Sequence, residues 1–163
     1  HAESDHPRRD RPPAARDRLI GGESGVESAG SLGTITPSRG EQLGNLLTDI
    51  LRDGGFSLAL LGDLEGFPVA WATAPGEVAE ARAAAVALMQ RSAAQARAQL
   101  GLGTTDEIML HDDRGRRLVC RPFRAGDNDL ILIVLVPGSQ QPYRMMTNRA
   151  LREVRRILGS AGE

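Results

Sequence analysis

The sequence predicts an α+β domain with the element order α-β-β-α-β-β-β-α, and three observations predict it. Two apolar runs double back across the same kind of turn, Asp63-Leu64-Glu65-Gly66 and Asp112-Asp113-Arg114-Gly115. Between them lies a long alanine-rich segment, residues 77–100, without glycine or proline. A third apolar run, "LILIVLV" at 130–136, is followed after Pro137-Gly138 by apolar residues at helical spacing with arginines between them. Aspartate closes such turns on its own backbone, and glycine accepts the positive φ they require.

The elements follow in order. Ser38-Arg39-Gly40-Glu41 has the spacing of a capping box, and Leu43, Leu46, Leu47, Ile50 and Leu51 then fall on one helical face up to Gly54-Gly55. Residues 56–61 read as a strand apolar on both faces, hence interior. Residues 67–73 read as its hairpin partner, and Pro68, which has no N–H to donate, places that strand at an edge. Gly101 closes the helix at 77–100. That helix carries two stripes of small and apolar residues, one through Val78, Ala81, Ala85, Leu88, Ser92, Ala96 and Leu100, the other through Ala79, Ala83, Val86, Gln90, Ala93 and Arg97. Packing on one sheet needs one stripe; two imply burial on two sides, unless alanine is there only for its helix propensity. Strands at 105–111, 117–123 and 130–136 follow, and a last amphipathic helix at 143–158 turns Met146, Ala150, Leu151, Val154, Ile157 and Leu158 inward. The first and fifth strands are apolar on both faces and so are central neighbours, which makes the five-stranded antiparallel sheet order 2-1-5-4-3. The third strand is then an edge with neither proline nor internal glycine, open to another chain.

Composition narrows the chemistry. The 163 residues have room for one domain and a tail, and 20 basic against 21 acidic residues create no global field for nucleic acid or an anionic membrane. Every basic residue is arginine, so a lysine-based phosphate loop and Schiff-base chemistry are excluded; the arginine, alanine and glycine usage suggests a GC-rich bacterial genome. Cys120 is the only cysteine, which excludes an internal disulfide and a multi-cysteine zinc site and suits a reducing cytoplasm. The run at 130–136 is far short of the roughly 20 residues of a membrane span. Residues 1–37, rich in Pro, Gly, Ser and alternating charge, read as a disordered tail and linker, leaving 38–160 as the domain; the opening residues lack Met and an apolar signal core.

No catalytic, cofactor or metal site is expected. His111 is the only histidine after residue 37, and alternation turns it away from Asp112. Ser57 and Ser92 have no base at hand, and Cys120 reads as a buried small hydrophobe despite neighbouring Arg121. Arg117, Arg121, Arg149, Arg152 and Arg156 form the candidate partner patch: a docking surface for an acidic protein, or a solvated face paired with acids such as Glu153. Phe67 and Trp71 share a strand face as core or as an interaction anchor.

Three stretches, "LALLGDLEGFPVAWA", the alanine-rich helix ending "LGLG", and "EIMLHDDRGRRLVCRPF" with "NDLILIVLV", resemble in this order the roadblock family of dynein light chains and bacterial GTPase regulators. The resemblance runs from about Leu43 to Leu158, and the basic fourth strand and last helix depart from it. It implies a profilin-like sandwich and a homodimer in which the third strand, through Glu107, Met109 and His111, pairs with its twin. The long helices would then pack antiparallel through Ala79, Ala83, Val86, Gln90, Ala93 and Arg97. It further implies a non-enzymatic cytoplasmic protein that binds and regulates a small Ras-like GTPase. A structural adaptor without a GTPase, and a small-molecule sensor, are the alternatives; a sensor needs a polar-lined cavity, whereas the inward positions here are Leu, Ile and Val.

Overall fold

A computed structural model describes residues 36–159. The tail expected at 1–37 therefore lies, but for its last two residues, outside the described part of the chain.

Helix α1, Arg39–Gly54, starts where Ser38 Oγ accepts the Glu41 amide at 3.2 Å, and it stops at Gly55, whose φ is +64°. Strand β1, Leu58–Asp63, pairs on one side with β2, Pro68–Thr73, and on the other with β5, Asn128–Val136. Strand β4, Arg117–Ala125, lies between β5 and the short β3, Ile108–His111, so the sheet is antiparallel in the order β2-β1-β5-β4-β3. Helix α2, Ala79–Leu100, links β2 to β3, and α3, Arg144–Gly159, ends the described chain. The fold class and strand order are those the sequence predicts.

Both predicted Asp turns form. Asp63 Oδ1 accepts the amides of Glu65 and Phe67, and Asp112 Oδ1 those of Arg114 and Arg116, while Gly66 and Gly115 have φ of +96° and +80°. Gly66 is also required by space, since a Cβ there would lie 3.2 Å from Ala84 Cα and 3.3 Å from Ala87 Cβ on α2. This turn is where the first hairpin docks on α2.

Two details depart from the prediction. Strand β3 begins at Ile108 rather than at Thr105, because Asp106 and Glu107 are drawn toward α3 by Arg144 (2.8 and 2.6 Å). Val69 is an extra residue in β2, between the pairs Leu61↔Ala70 and Gly62↔Pro68. Such a bulge breaks the alternation. Trp71 packs on the α2-side core, but Phe67 is 54% exposed. Of the two roles open to this pair, Trp71 takes the core and Phe67 does not.

The two sheet faces are covered unequally. On one, α1 and α3 enclose Leu47, Ile50, Leu61, Val119, Leu132, Val134 and Val154, all buried. On the other, α2 packs chiefly on β1 and β2, closing a smaller core of Leu58, Leu60, Val86, Cys120, Ile131 and Ile133. On β3 and the Arg117 end of β4 that face is more open, with Leu110 exposed and Leu118 only partly buried. Pro122 is tolerated inside β4 because β3 ends opposite Cys120, so β4 beyond that point is itself an edge.

Candidate functional site

The β3 edge is open, and the sheet beside it is only partly covered. The Asp112 amide bonds the Arg116 carbonyl at 3.0 Å, and the antiparallel register runs from there through His111↔Arg117 to Ile108↔Cys120. Hydrogen-bonded and non-hydrogen-bonded pairs alternate along such a ladder. Leu110 and Ile108 therefore bond β4, while the N–H and C=O groups of Met109 and His111 point outward from the sheet. Beside this edge, Leu110, Leu118 and Leu135 line a groove of about 260 Å³, bounded by Arg82 of α2 and by His111, Asp112 and Arg116. Leu110 is 52% exposed, and Leu118 and Leu135 are only partly buried. The signal for these leucines was alternation on β3 and β4, which the sequence reading did not follow to the uncovered side.

The α2 residues expected at a dimer interface take another role. Ala79, Ala83 and Val86 are buried on the chain's own sheet with Leu58, Leu60, Ile131 and Ile133. Gln90, Ala93 and Arg97 continue the same stripe, half-buried, and Gln90 Oε1 is enclosed without a hydrogen-bond partner. The other stripe faces outward, with Val78, Leu88 and Leu100 well exposed and Ala81, Ala85, Ser92 and Ala96 exposed between them. The free stripe of α2 is thus not the one that the resemblance assigns to a dimer interface. Small residues on both stripes made them hard to distinguish.

The expected arginine patch does not form one surface. Arg117 and Arg121 are 8% and 5% exposed, because alternation puts them on the Val119 face, beneath the start of α3. Arg117 Nη2 donates to the Gly138 carbonyl at 2.8 Å and to that of Gln141, and its guanidinium lies over the Tyr143 ring, 5.2 Å from the centroid. Arg121 Nη1 donates to Thr147 Oγ1 at 2.9 Å and Asn148 Oδ1 at 2.5 Å, and Nη2 lies 3.5 Å from Asp106. These two hold β4 to α3. Arg149 pairs with Asp53 at 3.2 Å and Arg156 with Glu153 at 2.9 Å, leaving Arg152 exposed on the same helix.

Glu107 is half-buried, accepting the Tyr143 hydroxyl at 2.5 Å and Arg144 Nη1 at 2.6 Å. With Asp106 it ties the start of β3 to α3. The Arg144 hydrogen bond holds the Asp106 carboxyl below its ordinary range. A carboxyl lowered by folding stabilises above its unfolded pKa, about 3.9, and that contribution is lost as the pH falls through the folded value. Wild-type stability is expected to fall below about pH 4 more steeply than that of Asp106→Asn, the two converging in stronger acid. Urea titrations across that range measure it, and parallel curves would show that the pair contributes nothing. Burial pushes the Cys120 thiol up to about 12, with Glu107 adding to the shift, and Arg121 lies on the opposite face of the strand. His111 is exposed, its Nε2 3.0 Å from Met109 Sδ. Among the described residues no three His, Cys, Asp or Glu side chains converge, and no helix is long and apolar enough to cross a membrane.

A five-stranded antiparallel sheet in this order, with α1 and α3 on one face and α2 on the other, is the roadblock/LC7 fold. Solved structures share it. The gliding protein MglB from Thermus thermophilus superposes with a TM-score of 0.64 at 22% identity, over 78% of this chain and 96% of that one. Myxococcus xanthus MglB gives 0.63 at 15%, over 73% and 96%. A roadblock/LC7 domain from Streptomyces avermitilis gives 0.59 at 16%, over 72% and 95%. An MglB structure described as having a tetrameric arrangement gives 0.65 at 22%, over 78% and 95%. No family model and no curated protein matches the chain. At these identities the likeness defines the fold.

Proposed function

We propose that this chain works as a homodimer that binds and regulates a small Ras-like GTPase in a bacterial cytoplasm, without catalytic chemistry of its own. The observation that carries the reading is the open β3 edge beside an apolar half-sheet. A second copy pairing along Met109 and His111 extends the sheet, and its own α2 covers Leu110, Leu118 and Leu135. In this arrangement the dimer contacts are β3, with Glu107 at its entry, and the flank of α2 next to the groove, while Ala79, Ala83 and Val86 stay in each protomer's core. The tetrameric arrangement of one MglB structure supports self-association in this fold. The GTPase rests on the roadblock resemblance, and regulation follows from binding one arrangement of its switch loops more tightly than another.

The deciding experiment is sedimentation joined to capture of candidate GTPases locked with GTP or GDP. A dimer that retains a GTPase in one nucleotide state supports the reading. A dimer that retains none in either state leaves a structural adaptor in its place. A monomer at about 100 μM, above the Kd range of stable dimers, removes the homodimer. Of the five arginines that the sequence groups as a patch, Arg149, Arg152 and Arg156 remain at the surface. Arg152→Glu with Arg156→Glu is expected to leave the melting temperature unchanged and slow association about tenfold at low salt, since exposed charges act mainly on encounter. Stopped-flow rates across salt concentrations test this, and an unchanged rate means the face is only solvated.

A further inference from the structure

We propose that the cavity where α3 begins is a binding site for a small oxyanion of the phosphate class, centred on Arg117. The cavity is a shallow depression open to solvent, of about 350 Å³, lined among others by Arg117, Ser139, Gln140, Tyr143, Arg144 and Met145. Arg117 is a buried cation without an anion: among the described residues it forms no ion pair, and it bonds only two backbone carbonyls, through Nη2. Its Nε is buried with no partner. A guanidinium taken out of water needs an anion or a full set of hydrogen bonds, and this one has two carbonyls and the face of the Tyr143 ring but, among the described residues, no anion.

An independent feature of the same cavity points the same way. The first bond into α3 runs from the Thr147 amide to the Tyr143 carbonyl, so the amides of Arg144, Met145 and Met146 have no acceptor among the described residues. The first turn carries no acidic residue that could serve them. The nearby carboxylates, Asp106 and Glu107, are held by Arg144 and Tyr143 and do not line the cavity. A phosphate group accepts from helix N-terminal amides and a guanidinium together, which is what this wall offers. The inference is independent of dimerisation and of a GTPase.

The test is an amide NMR titration of the full chain with inorganic phosphate, and separately with glycerol phosphate, against chloride at equal ionic strength. Saturable shifts of the residue 144–146 amides with either phosphate, absent with chloride, are expected; which compound saturates first tells a free ion from an ester. Ser139→Asp places a carboxylate on the same wall. It should weaken phosphate binding at least about tenfold, the worth of one charge-assisted hydrogen bond, and raise the melting temperature. Arg117→Met should abolish binding, and Ser139→Asp keeps the test valid where that variant fails to fold. Non-saturating shifts spread over the surface arginines, or unchanged affinity in Ser139→Asp, overturn the site.

Discussion

Replacing Ala83 by glutamate is expected to destabilise the domain severely. Ala83 is 2% exposed and packs in the core closed by α2 on Leu58, Leu60, Ile131 and Ile133. Its Cβ lies 3.8 Å from the position a Cβ would take on Gly62, so the helix sits close on β1 at this point. A glutamate there loses its hydration without gaining a partner and forces α2 off the sheet. Breaking or omitting one half of a buried charge pair costs about 3–5 kcal/mol, a large part of the roughly 5–15 kcal/mol that a domain has in total. Ala85→Glu on the exposed side of the same helix should stay within about 0.5 kcal/mol. Urea denaturation of the two variants makes the comparison. An Ala83→Glu protein that melted with wild type would mean that the stripe does not face the sheet.

Replacing Met109 by proline is expected to separate the dimer while leaving the protomer folded. The outward N–H of Met109 takes no part in the ladder to β4, so proline breaks no bond of that ladder; it trims the partly buried Met109 side chain at the margin of the core and removes a donor that a second chain would use. Two copies of the lost bond across the dyad, each worth about 0.5–1.5 kcal/mol, weaken association about fivefold to 150-fold. Leu110→Glu attacks the same interface through the groove: an exposed side chain in the isolated protomer becomes a buried carboxylate between two. Analytical ultracentrifugation reads both. If both variants sediment as wild type and wild type is a dimer, the interface lies elsewhere than on β3.

What could be read directly from the sequence was set by local chemistry. Asp63 with Gly66 and Asp112 with Gly115 specify their turns through bonds to amides two and four residues on, without help from distant residues. Ser38 caps α1 in the same way. Runs apolar on both faces identified β1 and β5 as central, and the short connections then left one strand order. Pro68 marked β2 as an edge because a missing donor is intolerable inside a sheet.

What the tertiary structure alone decided concerns direction and burial. Alanine occurs on nearly all sides of α2, so its periodicity carried little information about which side met the sheet; the close seating of Ala83 and Ala87 against β1 and the Gly66 turn settled it. Arg117 and Arg121 read as surface charge from composition, yet alternation with Val119 turns them under α3, where Thr147, Asn148 and two loop carbonyls receive them. Asp106 and Glu107 read as strand, but their pairing with Arg144, distant in sequence, pulls them out of the sheet and shortens β3. Turns and caps are fixed by bonds within a few residues of one another. Which face of a uniform helix is buried, and which arginine is enclosed, depend on groups that only folding brings together.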